Sequence, residues 1–308
     1  MSTLYITHPI FAEHLVPPGH PERPDRMRAL AAALETEAFQ DLVREQAPLG
    51  SLDTVRLVHP PEFIDEIEAA RPDSGLAMLD GDTYMSPKTW DAEMHAVGAV
   101  THAIDEVMAG KVQNAFCGLR PPGHHVEPVR AMGFGIFNQV AAGARYAQRK
   151  YGVERVAIVD FDVHHGNGTQ AIFYSDPTVL YASTHQMPLY PGTGAARETG
   201  VGNIFNAPLS PGWGGKEFRQ AVETVWLPAL EAFHPDLILV SAGFDAHERD
   251  PLGGLNLVAG DFAWVTRKVM EVADRHAGGR VVSALEGGYD LKGLADSAAA
   301  HVDALMHG

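Results

Sequence analysis

One event recurs along this chain and narrows its folding options. A short run of β-branched and apolar residues breaks abruptly into a cluster of His, Asp, Ser or Tyr. The clearest runs are Val156–Val159, Val179–Ala182, Leu237–Val240 and Val281–Leu285, with a weaker one at Asn114–Cys117. Runs this short, with no polar alternation, predict strands buried on both faces, as in a parallel sheet covered by helices. Between them, apolar residues recur at helical spacing. Trp90, Met94, Val97, Thr101, Ile104 and Met108 form one stripe. Phe218, Val222, Val225, Ala229 and Phe233 form another, which Pro228 should bend or break. Asp261 is placed to N-cap a helix buried through Phe262, Val265, Val269 and Val272. The alternation predicts an α/β fold: one mostly parallel β-sheet flanked by helices on both faces, formed as a single domain over residues 1–308. In such a fold the site lies beyond the carboxyl ends of the strands.

Five predicted strand ends then converge on one rim. They deliver Arg120–Pro121–Pro122–Gly123–His124–His125, Asp160–Phe161–Asp162–Val163–His164–His165–Gly166, Ser183–Thr184–His185, Ser241–Ala242–Gly243–Phe244–Asp245 and Glu286–Gly287–Gly288–Tyr289. Asp162 and His164 are two apart at a strand's end, so the pleat would send both side chains to one face. With Asp245 they make three N/O ligands and leave a coordination position open, the pattern of a catalytic rather than a structural zinc. The same donors also suit Fe(II) or Co(II). His124 and His125 follow a rigid Pro-Pro-Gly turn. One imidazole there would serve as general base on a metal-activated water, and the other would hold developing charge. The phenol of Tyr289, brought close by two glycines, would donate a hydrogen bond to a developing oxyanion. Asp160 lies one pair deeper and needs a cation or donor partner, since two neighbouring buried carboxylates are costly. Gly133, Phe134, Tyr190 and neighbouring loop residues would wall a narrow channel.

Composition removes several function classes. With 23 basic and 39 acidic residues the formal charge is −16, which repels nucleic acid and favours cationic substrates. No run of apolar residues is long enough to span a bilayer, and the start of the chain lacks a secretory pattern. The single cysteine, Cys117, excludes an internal disulfide, so the cytoplasm is the expected location.

These motifs resemble the arginase/deacetylase superfamily, and specifically zinc-dependent histone deacetylase-like amidohydrolases of the class II type. The resemblance rests on Asp-x-Asp-Val-His-His-Gly-Asn-Gly-Thr at 160–169, Ser-Thr-His-Gln at 183–186, Arg-Pro-Pro-Gly-His-His at 120–125 and Asp-Pro-Leu-Gly-Gly at 250–254. It runs from Gly19–His20–Pro21–Glu22–Arg23–Pro24–Asp25–Arg26 to beyond Glu286–Gly287–Gly288–Tyr289–Asp290. It implies one zinc ion held by Asp162, His164 and Asp245. It implies His125 as the base that later protonates the leaving amine, His124 as its electrostatic partner and Tyr289 as the carbonyl-polarising phenol. It implies a structural potassium ion at Asp160, Ser183 and Thr184, together with Asp162 and His164, and a second monovalent site around Phe173, Asp176 and Val179. Gly133, Phe134, Tyr190 and Leu252 fall at the substrate tunnel. Asn167 stands where class I relatives carry an aspartate behind the base. The one-metal motif sets this chain apart from the two-manganese arginases.

The implied activity is deacetylation of acetyl-lysine-type amides, the partner being an acylated lysine or other acylated amine. An acetylpolyamine or other small-molecule amidohydrolase is the alternative. Leu252 offers no carboxylate to a second ammonium, whereas Asp73, Asp80 and Asp82 lie in a loop that could. A non-catalytic acyl-lysine binding module is the reading from another class, and the retention of His124, His125 and Tyr289 argues against it. The reading leaves an oligomer open.

Overall fold

In the computed structural model, which describes residues 2–308, the buried runs lie side by side as strands of one sheet. In chain order the strands are β1 (Thr3–Thr7), β2 (Val43–Gln46), β3 (Ala77–Met78), β4 (Tyr84–Met85), β5 (Asn114–Cys117), β6 (Val156–Asp160), β7 (Val179–Gln186), β8 (Ile204–Leu209), β9 (Leu237–Ala242) and β10 (Val281–Leu285). Eight of them form a sheet in the order β2-β1-β5-β10-β9-β6-β7-β8, with every pairing parallel. β3 and β4 make a separate antiparallel pair in the loop before the long helix Thr89–Met108. Parallel neighbours require crossovers, and the intervening helices supply them while covering both faces.

All five strands expected from apolar runs are present. β7 continues four residues beyond its apolar run, because Ser183, Thr184, His185 and Gln186 are buried and pair with β8. Three sheet strands carry no comparable signal. β2 is an edge strand with the sequence VREQ and is mostly exposed, β8 includes Pro208, and β1 is a five-residue stretch at the start of the chain.

Two helical expectations need correction. The Phe218–Phe233 stripe is three pieces: Gly215–Ala221, a π-helical turn at Val222–Trp226 and Leu227–Phe233. The wider π turn precedes Pro228, which then sits in the first turn of the last piece, where a missing N–H costs little. Asp261 does not occupy the N-cap. The helix runs Ala259–Val272, and the Asp261 carboxylate reaches back from its first turn to accept the Val258 N–H at 3.0 Å.

One large apolar cluster spans both sides of the sheet. A smaller one, including Phe63, Met85, Trp90, Val126, Ile136 and Phe137, lies under the loop at 126–137 and stiffens that wall of the site.

Candidate metal centre and tunnel

The polar clusters meet at the carboxyl ends of the central strands, where Asp160 at the end of β6 pairs with Ser183 on β7 and Ser241 on β9. β6 stops at Asp160. The pleat therefore does not bring Asp162 and His164 together as expected. A turn does so instead: the His164 N–H donates to Asp162 Oδ1 at 2.8 Å. His164 Nδ1 then lies 3.1 Å from Asp162 Oδ1 and 3.0 Å from Asp245 Oδ2.

The ligand atoms of Asp162, His164 and Asp245 all fall within 4.8 Å of one another, and all three residues are buried. The outer oxygens are held as well. Gly287 N–H donates to Asp162 Oδ2, and Val163 N–H donates to Asp245 Oδ1, each at 2.8 Å. A Cβ at Gly287 would lie 2.2 Å from Asp245 Oδ2, so only glycine lets the backbone reach these carboxylates.

The electrostatics of this trio suit a cation. Burial opposes charge on His164, but its contacts with Asp162 and Asp245 outweigh that and raise it to about 10. Burial and the Asp162 charge raise Asp245 to about 7. Two buried carboxylates and an imidazole, with no Lys or Arg among them, fit a divalent ion of the zinc type.

The two neighbouring histidines are held differently. His124 Nδ1 lies 2.9 Å from Asp160 Oδ2, which also accepts the Tyr181 hydroxyl at 2.9 Å. Burial disfavours the imidazolium, yet the charges of Asp160, Asp162 and Glu286 raise His124 well above the usual histidine range. His125 Nδ1 lies 2.9 Å from Asn167 Oδ1. Asn167 Nδ2 donates to Glu127 Oε1 at 2.8 Å, so the amide oxygen faces His125, Nδ1 carries the proton and Nε2 is free to accept. Burial, together with His124 and His164, holds His125 well below the usual range.

Above the trio opens a cavity of about 250 Å³. All four expected tunnel residues, Gly133, Phe134, Tyr190 and Leu252, line it, as do His125, His164 and Tyr289. Gly133 adopts φ 59°, and a Cβ there would lie 2.3 Å from the His125 ring. Phe134 follows at φ 70°, a backbone state costly for a non-glycine residue, and its N–H donates to Thr83 Oγ1 at 3.1 Å. Its ring meets the Tyr289 ring edge to face at 5.7 Å. Burial holds the Tyr289 phenol well above its usual range, so it remains a proton donor.

Several residues with positional roles were not singled out in the sequence reading. Glu286 Oε2 accepts the N–H groups of Gly123 (2.7 Å) and His124 (3.2 Å), fixing the histidine turn. Asp250 Oδ2 accepts the Tyr289 N–H at 2.6 Å. Arg26, buried with Glu22 and Arg120, donates from Nε to the Gly288 carbonyl at 2.6 Å and lies 4.9 Å from the centre of the Tyr289 ring. Asp82, already noted in the acidic loop, and Leu189, from the loop that carries Tyr190, complete the cavity wall. Glu286 and Asp250 stood inside quoted motifs, and their polar type next to a predicted strand end or turn was the available signal.

Among the potassium residues, Asp160 and Ser183 are register partners, and the Thr184 hydroxyl is buried with no hydrogen-bond partner. Oxygen donors so gathered fit a monovalent cation. The second expected site differs. There the carbonyls of Phe173, Asp176 and Val179 surround the side-chain amide of Asn203.

Residues 20–305 match the histone deacetylase domain family. The chain belongs to that family. Histone deacetylase 10, chloroplastic, of Oryza sativa subsp. japonica is 41% identical, over 96% of this chain and 71% of the relative. A histone deacetylase-like amidohydrolase of Pseudomonas aeruginosa is 40% identical, over 88% of this chain and 73% of the relative. The crystal structure of the HDA15 HD domain superposes with a TM-score of 0.94 at 36% identity, covering 99% of this chain and 88% of that one. The expected arginase/deacetylase-type fold is thus the observed one, and the family is one of deacetylases and amidohydrolases.

Proposed function

We propose that this histone deacetylase family member is a zinc-dependent deacetylase that hydrolyses the amide of acetyl-lysine-type substrates. One observation carries the reading: a narrow cavity is lined by His164, His125 and Tyr289, and His164 gathers with the buried carboxylates of Asp162 and Asp245. Held by Asp162, His164 and Asp245, zinc would supply Lewis acidity, lowering the pKa of a water from 15.7 to about 7 and polarising the acyl carbonyl.

The chain's own residues do the rest. Phe134 and Tyr190 pack against the aliphatic stem and exclude water, while the Gly133 backbone meets the amide. His125, kept neutral by burial and by an uncharged partner, takes the proton from the attacking water and returns it to the departing amine. His124, charged against Asp160, holds positive potential beside the carbonyl carbon as negative charge grows on the oxygen. The Tyr289 hydroxyl donates to that oxygen. Asp160, Ser183 and Thr184, with Asp162 and His164, would hold a potassium ion that stiffens the floor.

Asp82 supports a second reading, an acetylpolyamine amidohydrolase. Its half-buried carboxylate lines the cavity, while Asp80 alongside pairs with Arg130 at 2.9 Å. A carboxylate so placed would receive the second ammonium of a diamine substrate. The test is turnover of an acetyl-lysine peptide and of N-acetylputrescine by zinc-reconstituted protein, beside a metal-stripped control. Zinc-dependent preference for the peptide supports the first reading. Preference for the polyamine, lost in Asp82→Asn, supports the second. No turnover of either with zinc bound would sink both.

A further inference from the structure

The turn between the helix Asn167–Phe173 and β7 contains a cage of carbonyl oxygens with an unusual occupant. Asn203, 4% exposed at the head of β8, points its amide nitrogen at the carbonyls of Phe173 (2.8 Å), Asp176 (2.9 Å) and Val179 (2.8 Å). The orientation of the amide is fixed, because its Oδ1 accepts the Val201 N–H at 3.2 Å. An amide NH2 carries two protons, so it cannot give all three oxygens a linear bond. Three backbone carbonyls converging on one centre are instead the surroundings that replace the hydration shell of a bare cation.

The cage owes little else to Asn203. Its backbone carbonyl is used by the sheet, accepting the Tyr181 N–H at 2.9 Å. Two cage carbonyls also take part in the turn, with Asp176 N–H donating to Phe173 O (3.0 Å) and Val179 N–H to Asp176 O (3.3 Å). Arg145 pairs with Asp176 and stacks 4.8 Å from the centre of the Phe173 ring, holding the turn from outside.

We propose that the Asn203 side-chain amide takes the place of a monovalent cation in this cage, so that the chain closes the turn with its own residue and binds an ion there only when Asn203 is shortened. The consequence is structural. The helix whose first residue, Asn167, orients His125 is pinned at its far end without an ion. This inference is independent of the catalytic reading, since it concerns the fold alone.

Two measurements test it. Thallium(I) anomalous scattering from crystals locates monovalent sites directly. Wild type should show no thallium among Phe173, Asp176 and Val179, whereas Asn203→Ala should show it there. Thermal unfolding in potassium chloride is compared with N-methylglucamine chloride at equal ionic strength. Asn203→Ala should melt below wild type in the large cation and recover by several degrees more than wild type does in potassium, because an ion that binds only the native state stabilises it by mass action. Asn203→Ser serves if the alanine variant does not fold. Thallium in the wild-type cage with Asn203 displaced would overturn the proposal. So would a variant that gains no thallium and no extra potassium response. Thallium at Asp160 and Ser183 reports on the other cation site separately.

Discussion

His124 and His125 share one turn, lie 4.1 Å apart ring to ring and are both buried, yet their surroundings push them in opposite directions. His124 faces the carboxylate of Asp160, with Asp162 and Glu286 nearby, and is held charged. His125 faces the amide of Asn167 and is held neutral. Residue type and burial are the same, so the difference comes from the partner on Nδ1 and from the other ring's charge. Two imidazoles side by side cannot readily both be charged. Fixing the proton on one reserves the other as an acceptor, which is how adjacent groups of one kind take different tasks.

Three substitutions probe this division, and a fourth sets a buried acid elsewhere beside it. Asp245→Ala removes one carboxylate of the metal trio beside the two rings. Zinc content and turnover should both fall to background, and full zinc occupancy by elemental analysis would refute the ligand role. Tyr289→Phe leaves both histidines and the metal site intact while deleting one oxyanion donor. Turnover should fall about 10²- to 10³-fold with zinc retained, and unchanged turnover would remove the phenol from the chemistry.

Asn167→Asp erases the difference between the rings by giving His125 an anionic partner too. That carboxylate favours the imidazolium, raising the His125 pKa, so its base form appears only at higher pH. The acidic limb of kcat/KM against pH should move upward, with a loss of about 10- to 100-fold near neutrality. An unmoved limb would mean that another group is the base.

The smallest effect lies outside the centre, at a buried acid with no cation beside it. Glu93 accepts from Gln139 Nε2 (2.8 Å) and the Ile136 N–H (3.1 Å), and burial raises it to about 8. Between its unfolded value of about 4.3 and about 8 the native chain holds a proton that the unfolded chain has released. Its contribution to stability is therefore present at low pH and lost as pH rises through 8. Thermal melts of Glu93→Gln should lack that part of the decline between about pH 4 and about pH 8. Parallel curves for the two proteins would contradict the assignment.

The sequence made the centre of the sheet legible because strands buried on both faces must be continuously apolar, as β6, β9 and β10 are. Its margins were not legible. β2 is exposed and polar, and β8 contains a proline, so neither shows the pattern on which the inference depends. The site followed the same logic. Residues at strand ends, Asp162, His164, Asp245 and Tyr289, were located by type and position, although the turn that joins Asp162 to His164 was mistaken for a pleat. Arg26 and Glu22 stand in the motif that opens the resemblance, but their role was hidden for another reason. They come from a loop and helix some 260 residues away from the Tyr289 turn they support, and only the folded chain brings them there. Asn203 was hidden likewise, since its contacts are with carbonyls that any residue could supply.

The most direct test is to titrate metal-stripped protein with zinc while following hydrolysis of an acetyl-lysine peptide. The structure of the centre predicts that activity rises from background and breaks at one equivalent per chain. Undiminished activity in the stripped protein, or a break at two equivalents, would contradict a single metal held by Asp162, His164 and Asp245.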